Sequence, residues 1–258
     1  LTGDASDNVI NGGDGDDVLS GGAGGTDTLN GGAGNETIVG DGSGDTLDGG
    51  ADVDTLDYSA FNTDLTVNLA TSTTDSGDFI ANFENVDSGT GNDTLTGDVN
   101  VNVINGNDGN DTIFGSAGLD TLDGGNGNDT LNYSTLGVTA GLAIDLDNNG
   151  AQTSSTGDTI SNFENVTGSS LGDTIEGDAN VNIISGAGGN DILDGMGGGD
   201  TINGDAGDDT ITAYGTGETY DGGSDLVSGD TLDYSSYGFA ITVDLDNNGA
   251  QTSSTGDT

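Results

Sequence analysis

The sequence contains no lysine, arginine, histidine or cysteine, and each absence excludes a class of chemistry. Without cationic side chains the chain cannot neutralise the phosphates of a nucleic acid, and it has no attraction to anionic membranes. Without histidine and cysteine it lacks an imidazole base, a thiolate nucleophile and the usual ligands of zinc or iron–sulfur sites. No apolar run approaches the roughly 20 residues of a membrane span. We therefore expect no nucleic-acid partner and no direct membrane insertion.

Negative charge is abundant: 46 acidic residues give a formal net charge of −46. Repulsion among so many carboxylates opposes any compact state. Because the chain has no cationic side chain, a folded state needs an external cation, and a set of oxygen ligands indicates a hard metal ion. Hydrophobic residues make up only 30 %, beside 51 glycines. Such a composition is also typical of disorder, which is the alternative that the order of the residues must decide.

A nine-residue repeat argues against disorder. Its consensus has glycine at positions 1, 2 and 4, an acid or asparagine at position 6, and an apolar residue at position 8. The repeat fills three tracts, 3–57, 88–132 and 168–233, as six, five and seven units. All 18 units have an apolar residue at position 8, from Ile10 in the first to Leu232 in the last. A disordered chain has no reason to keep this register, so the sequence predicts a repeat fold.

Two units show the consensus most clearly, GGDGDDVLS at 12–20 and GGNGNDTLN at 124–132. They resemble the RTX family of calcium-binding nonapeptide repeats, whose consensus is GGxGxDxUx. The resemblance covers all three tracts and implies an all-β fold, a parallel β-roll or β-solenoid with two nonapeptides in each 18-residue coil. The residue pattern agrees: positions 7 to 9 suit a short strand with position 8 inward, and the glycines of positions 1 to 6 suit a turn.

Position 6 carries the candidate metal ligands. Stacked coils would bring these acids together in two columns, and Ca²⁺, which takes six to eight oxygens from carboxylates and carbonyls, would remove their repulsion. Turn preference alone is one alternative reading of the acids, and magnesium is an alternative ion. The predicted ligands are Asp17, Asp27, Glu36, Asp45, Asp54, Asp93, Asp111, Asp120, Asp129, Asp173, Asp191, Asp200, Asp209, Glu218 and Asp230.

Three units have asparagine at position 6, namely Asn8, Asn102 and Asn182. Asparagine offers a neutral oxygen, so we expect calcium to be weaker or absent in those turns. Glu36 and Glu218 are longer than aspartate by one methylene, which leaves the geometry of their turns open.

The segments 58–87 and 133–167 depart from the nine-residue rule but repeat each other. Both begin with Tyr-Ser, continue in an alternating apolar pattern and end in NFENV, and a third copy begins at 234 and runs to 258. Alternation favours strands. We interpret these segments, called the inserts below, as longer coils of the same solenoid, the alternative being inserted linkers. The predicted organisation is therefore tract 1–57, insert 58–87, tract 88–132, insert 133–167, tract 168–233 and a truncated insert 234–258.

Both chain ends fall within repeats, so we expect a window on a longer array. The resemblance implies a calcium-binding extracellular repeat region that folds and stiffens on binding Ca²⁺, secreted and at a bacterial cell surface, as part of an adhesin, surface layer or filament. Self-association or surface assembly would then be expected. The alternative is the repeat domain of a type I-secreted hydrolase or toxin, which aids export and extracellular folding. We expect no enzyme, because no acid is set apart from its copies in the repeat.

Overall fold

The computed structural model describes residues 1–146, 152–224 and 229–236, together with the strands at 243–244 and 252–253. These described ranges contain strands and turns and no helix, which confirms the all-β class. Accordingly, they include no helix of the length and apolarity needed to cross a membrane. The chain divides into two compact units, Leu1–Asp129 and Thr130–Thr258.

The first unit consists of short strands, most of them three residues long. In chain order they are β1 (Val9–Asp14), β2 (Val18–Ser20), β3 (Thr28–Ala33), β4 (Thr37–Val39), β5 (Thr46–Ala51), β6 (Thr55–Asp57), β7 (Thr66–Asn68), β8 (Thr73–Thr74), β9 (Phe79–Ala81), β10 (Asn85–Asp87), β11 (Thr94–Thr96), β12 (Val103–Asn105), β13 (Thr112–Phe114) and β14 (Thr121–Asp123).

Successive strands of a tract alternate between sheets. In the first unit the sheet orders are β1-β3-β5-β9, β2-β4-β6-β10-β12-β14 and β8-β7-β11-β13. Tract strands pair in parallel with the strand one coil away, as Thr28 with Thr46 and Thr94 with Thr112. Each coil thus takes two nonapeptides, and the predicted 18-residue period is confirmed.

The second unit repeats this arrangement. Its strands are β15 (Thr130–Asn132), β16 (Ala143–Asp145), β17 (Gln152–Ser154), β18 (Thr159–Ser161), β19 (Asn165–Thr167), β20 (Thr174–Glu176), β21 (Ile183–Ser185), β22 (Ile192–Asp194), β23 (Thr201–Asn203), β24 (Thr210–Thr212), β25 (Thr219–Asp221), β26 (Thr231–Asp233), β27 (Val243–Asp244) and β28 (Thr252–Ser253). The orders are β18-β17-β16-β20-β22-β24-β26 and β15-β19-β21-β23-β25, and β27 pairs with β28.

The core of each unit consists of single-file ladders of position-8 side chains. Those from Leu19 to Ile211 are buried, with 2 % or less of their surface exposed. Parallel pairing in register places each one directly on its counterpart in the next coil, so one apolar residue per nonapeptide is enough. The exceptions are the first and the last two: Ile10 and Tyr220 are half-buried, and Leu232 is 37 % exposed.

The inserts pair with the tracts on either side, which confirms the longer coils expected of the fold. In the first insert, β10 lies between β6 and β12, and β7 pairs with β11. In the second, β19 lies between β15 and β21. Antiparallel pairs, which the repeat does not predict, join β7 to β8 and join β17 to both β16 and β18. Most of the predicted third insert, 234–258, lies outside the described residues.

Three strands differ from expectation in length. Positions 1 to 6 were predicted to form turns, but β1, β3 and β5 continue through position 3 of the following nonapeptide. Gly13, Gly32 and Gly50 lie in register there with φ of 105°, 118° and 113°. A Cβ on Gly50 would collide with the backbone oxygen of Gly32, so this close passage of backbones requires glycine.

Candidate metal centre

The position-6 acids form columns because each one immediately precedes a strand that pairs in parallel, in register, with its neighbours. Most of them are almost completely inaccessible to solvent, whereas Asp17 and Asp230 are half-buried. Those exposed by 2 % or less are Asp27, Glu36, Asp45, Asp54, Asp93, Asp111, Asp120, Asp129, Asp173, Asp191, Asp200, Asp209 and Glu218. Carboxylates buried to this extent ordinarily have a cationic partner, and this chain has no cationic side chain.

In most of these carboxylates, one oxygen accepts a hydrogen bond from the preceding coil. Oδ1 of Asp111 accepts a hydrogen bond from the backbone N–H of Asp93 at 2.7 Å, and Oδ1 of Asp45 accepts from the N–H of Asp27 at 2.7 Å. The same bond joins Asp173 to Asp191 at 2.7 Å. These bonds orient the carboxylates that accept them in the same way, and they leave the second oxygen of each to face the turn.

Several of these second oxygens are buried without a hydrogen-bond partner. They are Oδ2 of Asp27, Asp54, Asp111, Asp191 and Asp200, and both carboxylate oxygens of Glu36. A buried carboxylate oxygen with no partner carries a large desolvation cost, which a cation at that point would remove. The unpartnered oxygens therefore mark where a cation would bind.

The position-1 glycines make room for these oxygens. A Cβ on Gly49 would lie 2.7 Å from Oδ2 of Asp54, and a Cβ on Gly168 would lie 2.5 Å from Oδ2 of Asp173. On Gly186 a Cβ would collide with Oδ2 of Asp191. At these three positions the first glycine of the consensus thus leaves room for the acid five residues later.

Burial also changes the proton affinity of these acids. It raises the pKa of Asp111 and of Asp191 to about 7, against the opposing effect of the hydrogen bond from the preceding coil. Neighbouring acids of the same column raise it further, Asp129 for Asp111 and Asp209 for Asp191. At neutral pH, Asp111 and Asp191 therefore hold a proton more tightly than an exposed aspartate would.

The acids do not form clusters. Among the described residues, no three acidic side chains converge closely enough to hold a metal ion by themselves. Each coil contributes one position-6 acid to a column, and the turns also offer backbone carbonyls, which the glycines allow to approach the next coil. Calcium accepts carboxylate and carbonyl oxygens together and tolerates irregular geometry. The donor set fits calcium when the carbonyls are included.

The two glutamates behave differently from each other. Oε2 of Glu218 accepts from the N–H of Asp200 at 2.8 Å, so its longer side chain keeps the bond of the column. Both oxygens of Glu36 lack such a bond, although the Glu36 N–H still donates to Oδ1 of Asp54 at 2.8 Å.

The inserts add acids to the columns that the nine-residue repeat does not predict. Asp78 accepts from the N–H of Asp45 at 2.9 Å, and Oε2 of Glu84 accepts from the N–H of Asp54 at 2.8 Å. In the second insert, Asp158 accepts from the hydroxyl of Tyr133 as Asp78 accepts from that of Tyr58. The available signal was the order of residue types, since Asp78-Phe-Ile and Glu84-Asn-Val match positions 6 to 8 of a nonapeptide.

Parallel 18-residue coils with acids stacked in glycine turns define a metal-binding repeat protein of the β-solenoid class. The chain matches the family model described as RTX calcium-binding nonapeptide repeat at residues 1–25, 22–56, 96–131, 167–202 and 194–227. These matches cover more than half of the chain, and the chain belongs to that family. It is accordingly a calcium-binding repeat region. No curated protein matches the chain.

Proposed function

We propose that the position-6 acids are the calcium ligands, one from each coil in a column, and that calcium folds and stiffens this region. The observation that carries the proposal is the burial of these acids, with unpartnered oxygens, in a chain without a cationic side chain. The proposed ligands are Asp17, Asp27, Glu36, Asp45, Asp54, Asp93, Asp111, Asp120, Asp129, Asp173, Asp191, Asp200, Asp209, Glu218 and Asp230.

The mechanism is a linkage between binding and folding. Without calcium, the net charge of −46 and the cost of burying unpaired carboxylates favour the unfolded chain. Calcium binds the folded coils and has little affinity for separated acids, so it stabilises the folded state by mass action. The glycines and the hydrogen bonds of the columns place the acids, and calcium supplies the missing positive charge.

Calcium-dependent folding suits an extracellular location, where calcium is abundant. The chain would serve there as the structural body of a secreted or surface-attached bacterial protein, an adhesin, surface-layer component or filament. Support comes from the repeat family and from the inserts, whose strands pair with the tracts and so continue the stack within each unit. We assign it no catalytic step, because the position-6 acids are copies of one repeat position and none is set apart from the others in the sequence.

Circular dichroism during a calcium titration tests the proposal, with magnesium as the parallel ion. We expect a cooperative gain of β-structure with calcium and none with magnesium at equal concentration. Asp111→Asn should raise the calcium midpoint, and the matched control Asp108→Asn changes an exposed acid of the same nonapeptide by the same charge. Equal responses to both ions, or equal effects of both variants, would contradict the assignment of the ligands.

The cellular setting needs a separate experiment. An antibody against the chain, applied to fractionated cells of the organism that makes it, should find the protein at the surface or in the medium. Recovery from the cytosol alone would refute the extracellular role and leave calcium binding intact.

A further inference from the structure

Where each insert ends, two asparagines lie on neighbouring coils. Asn85 of the first NFENV segment is followed by Asn102 in the next coil, and Asn165 of the second is followed by Asn182. Asn102 and Asn182 are position-6 residues, and both are completely buried. Because the same pairing occurs in both units, we interpret it as a specific structural feature and not as a loss of the repeat consensus.

At these two asparagines the hydrogen bond to the preceding coil runs in the opposite direction. An aspartate at position 6 accepts from the N–H of the position-6 residue one coil earlier. Asn102 instead donates from Nδ2 to the backbone oxygen of Glu84 at 2.7 Å, and Asn182 donates to the backbone oxygen of Glu164 at 2.7 Å. The amide therefore directs a donor to the place where an acid directs an acceptor.

The second asparagine makes that backbone oxygen accessible. In the tracts, the position-6 carbonyl accepts from the position-7 N–H one coil later, as Asp93 does from Thr112 at 2.8 Å. At the insert, Oδ1 of Asn85 accepts instead from the N–H of Val103, at 2.8 Å. Oδ1 of Asn165 likewise accepts from the N–H of Ile183, at 2.9 Å. The two side chains thus replace one backbone hydrogen bond with two.

The rest of the amide group is bound as well. Oδ1 of Asn102 accepts from the N–H of Asp98 at 2.8 Å, and its Nδ2 lies 3.2 Å from Oδ1 of Asp98. Asn182 makes the same two contacts with Asp178, at 2.8 and 3.2 Å. The partners fix the orientation of the amide, because an N–H can only donate and a backbone carbonyl can only accept. The N–H₂ group donates to a carboxylate oxygen and to a carbonyl oxygen, which are the types of oxygen that calcium would otherwise bind.

We infer that each asparagine pair, Asn85 with Asn102 and Asn165 with Asn182, joins an insert to the following tract without calcium, the buried N–H₂ group taking the place of the ion. These two joints bind no cation, whereas the acidic turns beside them do. The inference rests on the proposed function only for the acidic turns, since the joints are closed by hydrogen bonds present in the chain itself.

The test converts the joints into acidic turns. In the double variant Asn102→Asp, Asn182→Asp, carboxylate oxygens replace the donors and face Glu84 O, Glu164 O and the neighbouring aspartates. We expect the number of bound calcium ions, measured by equilibrium dialysis, to rise by about two per chain, and the calcium midpoint of folding to increase. The matched control is Asn110→Asp, which makes the same substitution at an exposed residue. The oxygen of Asn110 accepts from the N–H of Asn128, and an aspartate oxygen can accept the same bond.

A second variant guards against misfolding of the first. Asn102→Ala removes the amide, and it should speed hydrogen exchange of the Asp98 N–H in the calcium-saturated chain without changing the number of bound ions. Loss of an ion from Asn102→Ala would overturn the inference, as would an unchanged count in a folded double variant. If the unmodified chain gained no β-structure with calcium, the proposed function would fail instead, and the two failures are distinguishable.

Discussion

The hydroxyl of Tyr58 donates to Oδ2 of Asp78 at 2.9 Å, inside the first insert. Asp78 also accepts from the N–H groups of Gly44 and Asp45, at 3.1 and 2.9 Å. Burial raises the pKa of Tyr58, which keeps its hydroxyl protonated as a donor. This acid is therefore supplied with hydrogen bonds by the chain itself, in contrast to the unpartnered oxygens of the tracts.

Tyr58→Phe should destabilise the calcium-loaded chain by about 1–3 kcal/mol, because it removes a hydrogen bond to a buried carboxylate. Oδ2 of Asp78 then keeps only the longer contact from the N–H of Gly42, at 3.3 Å. Denaturant unfolding in saturating calcium measures the change. Tyr133→Phe should have a similar effect, since Tyr133 donates to Asp158 at 2.8 Å. Tyr214 is 55 % exposed, and Tyr214→Phe should cost about 0.5 kcal/mol or less. Equal costs at Tyr58 and Tyr214 would argue against the role given to the Tyr58 hydroxyl.

We expect alanine to affect calcium binding differently at two glycines of one nonapeptide. Gly186→Ala places a methyl group against Oδ2 of Asp191, so it should displace that carboxylate and weaken calcium binding. Gly188→Ala meets nothing closer than 3.8 Å and should bind calcium as the unmodified chain does. Isothermal titration of both variants measures the difference, and equal affinities would contradict the claim that position 1 makes room for the acid.

Protons should compete with calcium. The pKa of Asp111 and Asp191 rises from 3.8 to about 7 on folding in the absence of metal, so the metal-free folded chain holds these protons more tightly than the unfolded chain. Their contribution to folding is fully present below pH 3.8 and is lost as the pH rises through 7. Without calcium, β-structure should therefore increase on acidification from pH 8 to 4, as followed by circular dichroism. A loss of β-structure over that range would contradict the burial of these acids.

The two glutamates predict different responses to shortening. Glu36→Asp gives the length that makes the column hydrogen bond elsewhere, so it should stabilise the folded chain by about 1 kcal/mol in saturating calcium. Glu218→Asp removes a side chain that already accepts from Asp200, and should bring no gain. Thermal unfolding of the two variants compares them, and stabilisation by both would contradict the claim that Glu218 already makes the hydrogen bond of the column as well as an aspartate would.

The nine-residue repeat predicted the residues that recur in every nonapeptide. It did not predict the roles of residues in the inserts, where the nine-residue count is interrupted. Leu29 and Leu47 could be assigned to the core because the same apolar position returns in every nonapeptide. Asp78 could not be assigned to a column, because the insert that contains it breaks the nine-residue count. The asparagine pair at Asn85 and Asn102 could not be predicted for another reason. Its hydrogen bonds join side chains to the backbone of a neighbouring coil, and only the stacked structure shows which residues are neighbours.

The family consensus likewise accounts for position 6 better than for position 5. Asn110 donates its N–H to Oδ1 of Asn92 and accepts from the N–H of Asn128, so a second ladder follows the outer surface of the turns. The frequency of asparagine and aspartate at position 5 was visible in the sequence. Its purpose was not, because the consensus leaves that position open.

The single-file core has a consequence for the history of such chains. Since each coil packs only on the coils next to it, a duplication or deletion of 18 residues leaves every remaining ladder in register and requires no new packing. The residues 145–159 and 244–258 are identical, so one segment of the array recurs unchanged later in the chain. The length of the array is thus free to vary between lineages, while the chemistry of each turn stays the same.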